Sequence, residues 1–370
     1  MTTDLLLASS ACVYITRLLF FFRGQWRSGR AYPLEAVDLP SVSVIVPARN
    51  EQENIESCIT SLLACDYPSH LIEIIVVDDR STDATGRIID VIAAKHPTIR
   101  ALHRSEADAI DNLRGKPGAL QFGIDHSTGQ ILLVTDADCR VHPLWIRTMV
   151  APFEDAQTDM ACSFTTVRRG NSFALLQDIE WLYTSGMAMA ANANGQPLGC
   201  FGNNIAVRAR AFSDVGGYHA ISFSVTEDLA LMQTMHRRGS TIAFICEPTC
   251  RIETEPCVGL GEYLRQKQRW VQGGLGLGWR GYSFAATSAL YWFGLVTSIA
   301  SASPLWLTLF LALRIIGDGS LILASAVRLR RFYLLWAIAP SLLLLLLLEL
   351  ILPVLAFQKR VVWKGQTFGK

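Results

Sequence analysis

The chain has almost no net charge and, over one long stretch, almost no charge at all. Its 33 Lys and Arg against 32 Asp and Glu leave a formal balance of +1, so no global field points to nucleic acid as a partner. Paired cysteines are missing too. Nine stand singly, at 12, 58, 65, 139, 162, 200, 246, 250 and 257. Their odd number and irregular spacing argue against a disulfide framework and suit free thiols in a reducing compartment. Cys246, Cys250 and Cys257 form the one cluster, without the CxxC or paired histidine of a zinc site. No GxGxxG follows the first strand-like run, which argues against a dehydrogenase. Gly274, Gly276 and Gly278 come after a basic helix-like stretch and are a weak nucleotide signal.

The charge-poor stretch is residues 283–357, where only Arg314, Asp318, Arg328, Arg330, Arg331 and Glu349 are formally charged. With "SLLLLLLLELILPVLAF" as its extreme, it reads as a membrane-embedded C-terminal region with spans near 284–303, 305–327 and 332–357. Leu5 to Phe22 is a second apolar run, followed at once by Arg23, Arg27 and Arg30. A secretory signal would carry its positive charges before the run. The reversed order predicts an uncleaved N-terminal anchor over 1–30 with its C-terminal side in the cytoplasm.

Between these regions the pattern changes. "SVSVIVP" is a short apolar run of the kind a buried parallel strand makes. "EQENIESCITSLLAC" sets Ile55, Ile59, Leu62 and Leu63 at helical spacing. "IEIIVV" repeats the strand and ends in Asp78 and Asp79; "STDATGRIIDVIAA" repeats the helix, with Ser81 and Thr82 as candidate N-caps. Alternating β and α predicts an α/β fold with a mostly parallel sheet and ligands beyond the carboxyl ends of its strands. "QILLVTDADCR" supplies one more such end, where Asp136 and Asp138 could aim two carboxylates at one site. A divalent cation would relieve that charge, and Mg²⁺ typically takes one or two carboxylates plus substrate phosphates; two solvated loop acids would read the same way. In "VTEDLALMQTMHRRG", Glu227 and Asp228 open a helix, where capping alone accounts for them. In "YLRQKQRWVQGG", Trp270 reads either as an interfacial anchor or as a sugar-stacking platform beside Arg269.

In order, "VIVPARNE", "VVDDRSTDAT", "GKPGAL", "TDAD", "FGNNIAVR", "TED" and "QKQRW" resemble the membrane-bound inverting glycosyltransferases of family 2, the group of cellulose, chitin and hyaluronan synthases and ceramide glucosyltransferase. The match runs from about Ser41 to Trp270. The resemblance implies a GT-A fold, a nucleoside-diphosphate sugar donor such as UDP-glucose or UDP-N-acetylglucosamine, and Mg²⁺ or Mn²⁺. It implies Pro47, Arg49, Glu51, Asp79 and Lys116 on the donor side, and Asp136 and Asp138 as the metal-binding pair, with Asp138 the direct ligand. It also implies Asp228 as general base and Arg269 on the diphosphate, with Glu227, Gln266 and Trp270 towards the acceptor.

The expected organisation is an anchor over 1–30, a cytosolic GT-A domain over 38–281 with an interfacial helix near 260–280, membrane helices over 282–358 and a basic tail over 359–370. The protein is then an integral membrane protein of the cell (inner) membrane. With three C-terminal spans the tail lies outside; if Arg314 and Asp318 mark a re-entrant stretch, it is cytosolic, and Trp363 and Lys364 could approach the diphosphate. So few spans favour a membrane-embedded lipid acceptor over a growing polysaccharide. A non-catalytic nucleotide-sugar receptor is the rival of another class, and it would need neither base nor acceptor platform.

Overall fold

The computed structural model describes residues 2–29, 32, 38–105, 113, 115–222 and 224–357, and the backbone of two short strands near the C-terminus. Helix α1 (Thr2–Arg27) is continuous. Then β1 (Val42–Ala48), α2 (Ile55–Leu63), β2 (Ile72–Asp78), α3 (Thr85–Ala93), β3 (Ile99–His103), α4 (Lys116–Asp125) and β4 (Ile131–Val134) alternate as the sequence predicts. The chain continues through β5 (Cys139–Val141), α5 (Trp145–Val150), β6 (Thr158–Ser163), β7 (Thr165–Val167) and the long α6 (Ser172–Ala193). It goes on through β8 (Ile205–Arg208), α7 (Ala209–Asp214), α8 (Glu227–Arg237), β9 (Thr241–Ile245), β10 (Ile252–Thr254) and α9 (Leu260–Gly274).

Seven strands form one sheet in the order β3-β2-β1-β4-β8-β6-β9, in which β8 alone runs against its neighbours. A smaller sheet, β5-β10-β7, stands beside it. The apolar runs of β1, β2 and β4 are nearly unbroken because both faces are covered. Val44, Val46, Ile74, Val76 and Leu133 pack with Ile55, Ile59 and Leu62 of α2 and Trp145 of α5. Ile45, Ile75, Val77 and Leu132 face the other way, into a core that includes Leu120 of α4 and Leu182 of α6 and extends to Tyr14 and Leu18 of α1.

One local expectation changes. Helix α3 starts at Thr85, and Asp83 rather than Ser81 or Thr82 binds its first turn, accepting from the Thr85 amide at 2.9 Å. Ser81 and Thr82 instead tie the loop after β2 to the loop after β1, through Asn50.

Helices α10 (Trp279–Ala300), α11 (Pro304–Ala312), α12 (Gly319–Arg328) and α13 (Ile338–Ala356) complete the chain's helical part. Four stretches among the described residues are long and apolar enough to cross a membrane: Thr3–Arg27, Trp279–Ala300, Pro304–Arg328 and Phe332–Ala356. Arg314 and Asp318 do not interrupt the third. The backbone passes from α11 to α12 through a π-helical turn, Leu313–Asp318, and buries both side chains. The arginine-rich turn after α12 packs on α1 and the α/β domain: Arg328 donates to the Gln25 carbonyl at 2.7 Å, and Arg331 pairs with Asp178 and, at 3.3 Å, with Glu253. Near the C-terminus, β11 (Arg360–Trp363) and β12 (Gln366–Gly369) form a hairpin, with β11 beside α9. Lys364 and the side chain of Trp363 lie outside the described residues.

Candidate active site

The site begins where β1 and β2 end. Their register pairs Ala48 with Asp78, and the Asp79 amide donates to the Ala48 carbonyl at 2.8 Å. Immediately beyond, Asn50 (φ 53°) and Arg80 (φ 57°) adopt left-handed backbone, a conformation that costs about 1–3 kcal/mol for a residue with a side chain. Cross-loop hydrogen bonds offset it. Asn50 Oδ1 accepts from the Thr82 amide at 2.8 Å, Ser81 Oγ from the Asn50 amide at 3.0 Å, and Thr85 Oγ1 from the Glu51 amide at 2.8 Å. The turns give the two neighbouring acids different tasks. Asp78 accepts from the Ser81 amide and meets His103. Asp79 faces the cavity, buried against Arg104 at 2.9 Å and Arg80 at 3.0 Å, while Arg49 donates to its carbonyl at 2.9 Å.

Next to them, β4 stops at Val134 and the chain enters β5 of the smaller sheet. Asp136 and Asp138 occupy the bend, with Ala137 buried between them. Lys116, first residue of α4, places Nζ 2.6 Å from Asp136 Oδ1 and 3.3 Å from Glu227 Oε1. Burial by itself would lower its pKa, but those two carboxylates outweigh burial and raise it well above the ordinary lysine value. Lys116 is therefore a fixed cation at the junction of three elements.

Asp228, in the first turn of α8, differs from the other acids. Burial and then Glu227 push its carboxyl up to about 7, against the opposing pull of Lys116 and the Leu229 and Gly202 amides. The Leu229 amide donates to its Oδ1 at 2.8 Å, so a capping-type bond is present, but it leaves the group poised to titrate near neutrality. Two glycines make room here. A Cβ on Gly202 would stand 3.0 Å from that of Asp228, and one on Gly273 would overlap Thr226 at 1.9 Å.

Helix α9 closes the far side. Trp270 meets Trp181 of α6 edge-on at 4.9 Å and Phe201 at 5.5 Å, while Trp181 and Phe201 stack at 4.6 Å. Arg269 has no carboxylate within ion-pairing distance among the described residues, and burial holds its pKa below the ordinary arginine value. Among the described residues, Gln266 Oε1 is buried without a hydrogen-bond partner. Unsatisfied polar atoms of this kind are expensive unless a ligand completes them.

All twelve residues singled out in the sequence line one cavity of about 1150 Å³: Pro47, Arg49, Glu51, Asp79, Lys116, Asp136, Asp138, Glu227, Asp228, Gln266, Arg269 and Trp270. Its lining has nine carboxylates against six cations, an imbalance that suits a divalent ion. Among the described residues no three His, Cys, Asp or Glu side chains converge as a metal site. Sequence reasoning missed Arg104, Trp181 and Phe201. Phe201 lay within a recognised motif, whereas Arg104 and Trp181 carried no local signal. It also missed Lys267, buried behind Trp270 on Glu180 at 2.6 Å. All nine cysteines are free, so Cys246, Cys250 and Cys257 form no disulfide.

The profile of "Glycosyl transferase family 2" matches residues 43–216, and that of "Glycosyl transferase family group 2" matches residues 131–354. The chain is 27% identical over 246 residues to beta-monoglucosyldiacylglycerol synthase of Synechocystis sp., covering 64% of this chain and 48% of that one. It is 26% identical over 240 residues to poly-beta-1,6-N-acetyl-D-glucosamine synthase of Staphylococcus aureus, covering 64% and 55%. It thus spans about half the length of these relatives. The fold is similar to that of the mannosyltransferase PcManGT from Pyrobaculum calidifontis, solved with GDP-Man and Mn²⁺. The TM-score is 0.64 at 20% identity, over 89% of this chain and 99% of that one. The GT-A architecture, the matched profiles and the shared motif order agree: the chain belongs to glycosyltransferase family 2.

Proposed function

We propose that the chain is an inverting glycosyltransferase that moves a sugar from a nucleoside diphosphate, UDP-glucose or UDP-N-acetylglucosamine, to a hydroxyl of a membrane-embedded lipid. The observation that carries this reading is the single cavity that joins a nucleotide-sized acidic cleft, a carboxyl titrating near neutrality and an aromatic wall. The names of lipid-modifying relatives support the acceptor class. Four candidate spans support a place in a membrane; the reading sets it in the cell membrane with the α/β domain cytosolic.

In this reading Asp79, held by Arg49 and Arg104, receives the nucleoside, with Pro47 and Glu51 lining the same pocket. Asp138, with Asp136 behind it, would hold Mg²⁺ or Mn²⁺, a Lewis acid that neutralises charge on the departing diphosphate. Arg269 presents its planar fork to the phosphate oxygens, and Lys116 adds a fixed positive charge. Asp228 accepts the acceptor's hydroxyl proton as that oxygen bonds to the anomeric carbon and the carbon–phosphate-oxygen bond breaks. Attack opposite the leaving group inverts the centre, and the enzyme needs no covalent intermediate. Trp270, Trp181 and Phe201 orient the acceptor, with Glu227 and Gln266 at the same wall.

Nucleoside-diphosphate release by purified membranes, with a panel of donors, added lipid alcohols and Mg²⁺ or Mn²⁺, tests the reading. We expect release that requires both metal and lipid acceptor and yields a β-glycoside from an α-linked donor. Chain-length growth without added lipid would favour polysaccharide synthesis. Tight donor binding with no turnover on any acceptor would favour a non-catalytic receptor.

A further inference from the structure

The aromatic wall rests on a buried charged pair that the mechanism above does not use. Lys267 on α9 is 1% exposed and Glu180 on α6 is 5% exposed. The Lys267 Nζ lies 2.6 Å from Glu180 Oε2, and the Tyr263 hydroxyl donates to the same oxygen at 2.9 Å. From there Nζ also sits 3.7 Å from the Trp270 ring centroid and 4.6 Å from that of Tyr263. The pair links two helices at neighbouring positions. Glu180 precedes Trp181, Lys267 is one turn before Trp270, and these two tryptophans meet on the cavity side at 4.9 Å.

We propose that the Lys267–Glu180 pair is a positioning element that sets the angle between Trp181 and Trp270 and thereby the grip on the acceptor; the acceptor half of this inference rests on the function proposed above. Three physical features support it. The ammonium occupies one side of the Trp270 ring, where a desolvated cation–π contact is strong. A buried ion pair contributes little net stability, yet it specifies one geometry by making its alternatives costly. Apolar packing alone would let the wall slide, because dispersion contacts are weakly directional. The carboxylate also holds Tyr263, whose ring packs against Phe173 at 5.4 Å, so the register of α6 and α9 is pinned at more than one point.

The test uses the full chain in detergent, with Lys267→Met, Lys267→Arg and the double variant Glu180→Gln/Lys267→Met, which removes both buried charges and is the fold-retaining control. Near-ultraviolet circular dichroism reports the coupled tryptophans independently of activity, nucleotide titration reports the donor side, and initial rates against a lipid acceptor report KM and kcat. The expected result for Lys267→Met and the double variant is an altered tryptophan signal and an acceptor KM raised about tenfold. Nucleotide affinity should stay within about twofold, and Lys267→Arg, which keeps a cation over the ring, should lie closer to wild type than Lys267→Met in both properties. Unchanged tryptophan signals and acceptor KM in the double variant would overturn the proposal. So would a parallel loss of nucleotide affinity and turnover, which marks a merely structural pair. If wild-type protein transfers to no acceptor, the function proposed above fails, while the dichroism and nucleotide titration still decide whether the pair sets the wall.

Discussion

Two clusters of buried charge can be compared directly, one among the apolar helices and one in the cavity. In the first, Asp318 accepts from Tyr14 and, at 2.9 Å, from Tyr183, and it pairs with Arg314 at 3.0 Å. Arg314 also reaches Glu349 at 2.9 Å, and Arg17 reaches Ser288 at 2.9 Å and Glu349 at 3.8 Å. Two arginines thus meet two carboxylates, and the network joins α1, α6, α10, the π-helical turn and α13. In the cavity the balance is uneven: carboxylates exceed cations, and among the described residues Arg269 has no ion pair and Gln266 Oε1 has no hydrogen-bond partner. The first cluster balances its charges within the protein and links helices, although Arg17 Nε, Arg314 Nε and Nη2, and Glu349 Oε2 lack a hydrogen-bond partner among the described residues. The second carries an excess of carboxylates, which suits the metal and diphosphate of the proposed function. A buried polar group in an apolar setting must find a partner, and whether that partner is protein or ligand separates architecture from function.

The comparison breaks most sharply at Asp228. Asp228→Asn should lower turnover by about 10² to 10⁴ while metal and donor affinity persist, because only the proton acceptor is removed; single-turnover rates beside nucleotide titration would measure both. A mutant that binds donor poorly but turns over normally would make Asp228 a donor ligand instead.

Asp318→Asn tests the other cluster. Removing Asp318 leaves Arg314 and Arg17 to share Glu349 alone and should cost about 3–5 kcal/mol of stability, read as a lowered thermal midpoint in detergent. Nucleotide affinity of the surviving folded fraction should stay unchanged. Equal damage to donor binding would mean that the two clusters are coupled.

Asp138→Asn should weaken metal-dependent donor binding by about 100-fold or more, with little change in thermal stability measured without metal. Calorimetric titration of donor with and without Mg²⁺ separates the two effects.

The smallest expected effect is a pH shift. If Asp228 is the base, kcat/KM for the donor should rise about tenfold per pH unit below about 7 and level off above it, since this ratio reports groups of the free enzyme. Glu227 raises that carboxyl, so Glu227→Gln should move the rising limb to lower pH. A limb that moves upward would show that Glu227 acts mainly by holding Lys116 near Asp228 rather than by repelling it.

The elements around the site were readable because each is written in adjacent residues. "VSVIV" and "IEIIVV" are nearly continuous apolar runs since both of their faces are buried, and Ile55, Ile59 and Leu62 repeat at the period of a helix. The acids at strand ends and the "QKQRW" stretch were visible by residue type, while the roles proposed for them came from the family resemblance. Arg104 was not readable: its role depends on Asp79, 25 residues away across two strands. Nor was the reversed direction of β8, which depends on strands paired from distant parts of the chain. Arg314 and Asp318 looked like a possible break in a span, because a sequence shows the cost of a buried charge but not the Tyr14, Tyr183 and Glu349 that offset it.

Which segments are apolar on one face, on both or all round, and which chemical groups stand at strand ends, can be read along the chain, since periodicity and residue type are local properties. Who pairs with whom is settled in three dimensions. The fold buried Asp79 under Arg104 while turning Asp78 away, set Lys116 between Asp136 and Glu227, and raised Asp228 towards neutrality. Charge interactions and desolvation depend on distances in space, and those distances exist only once residues 20 to 111 positions apart in the chain lie side by side.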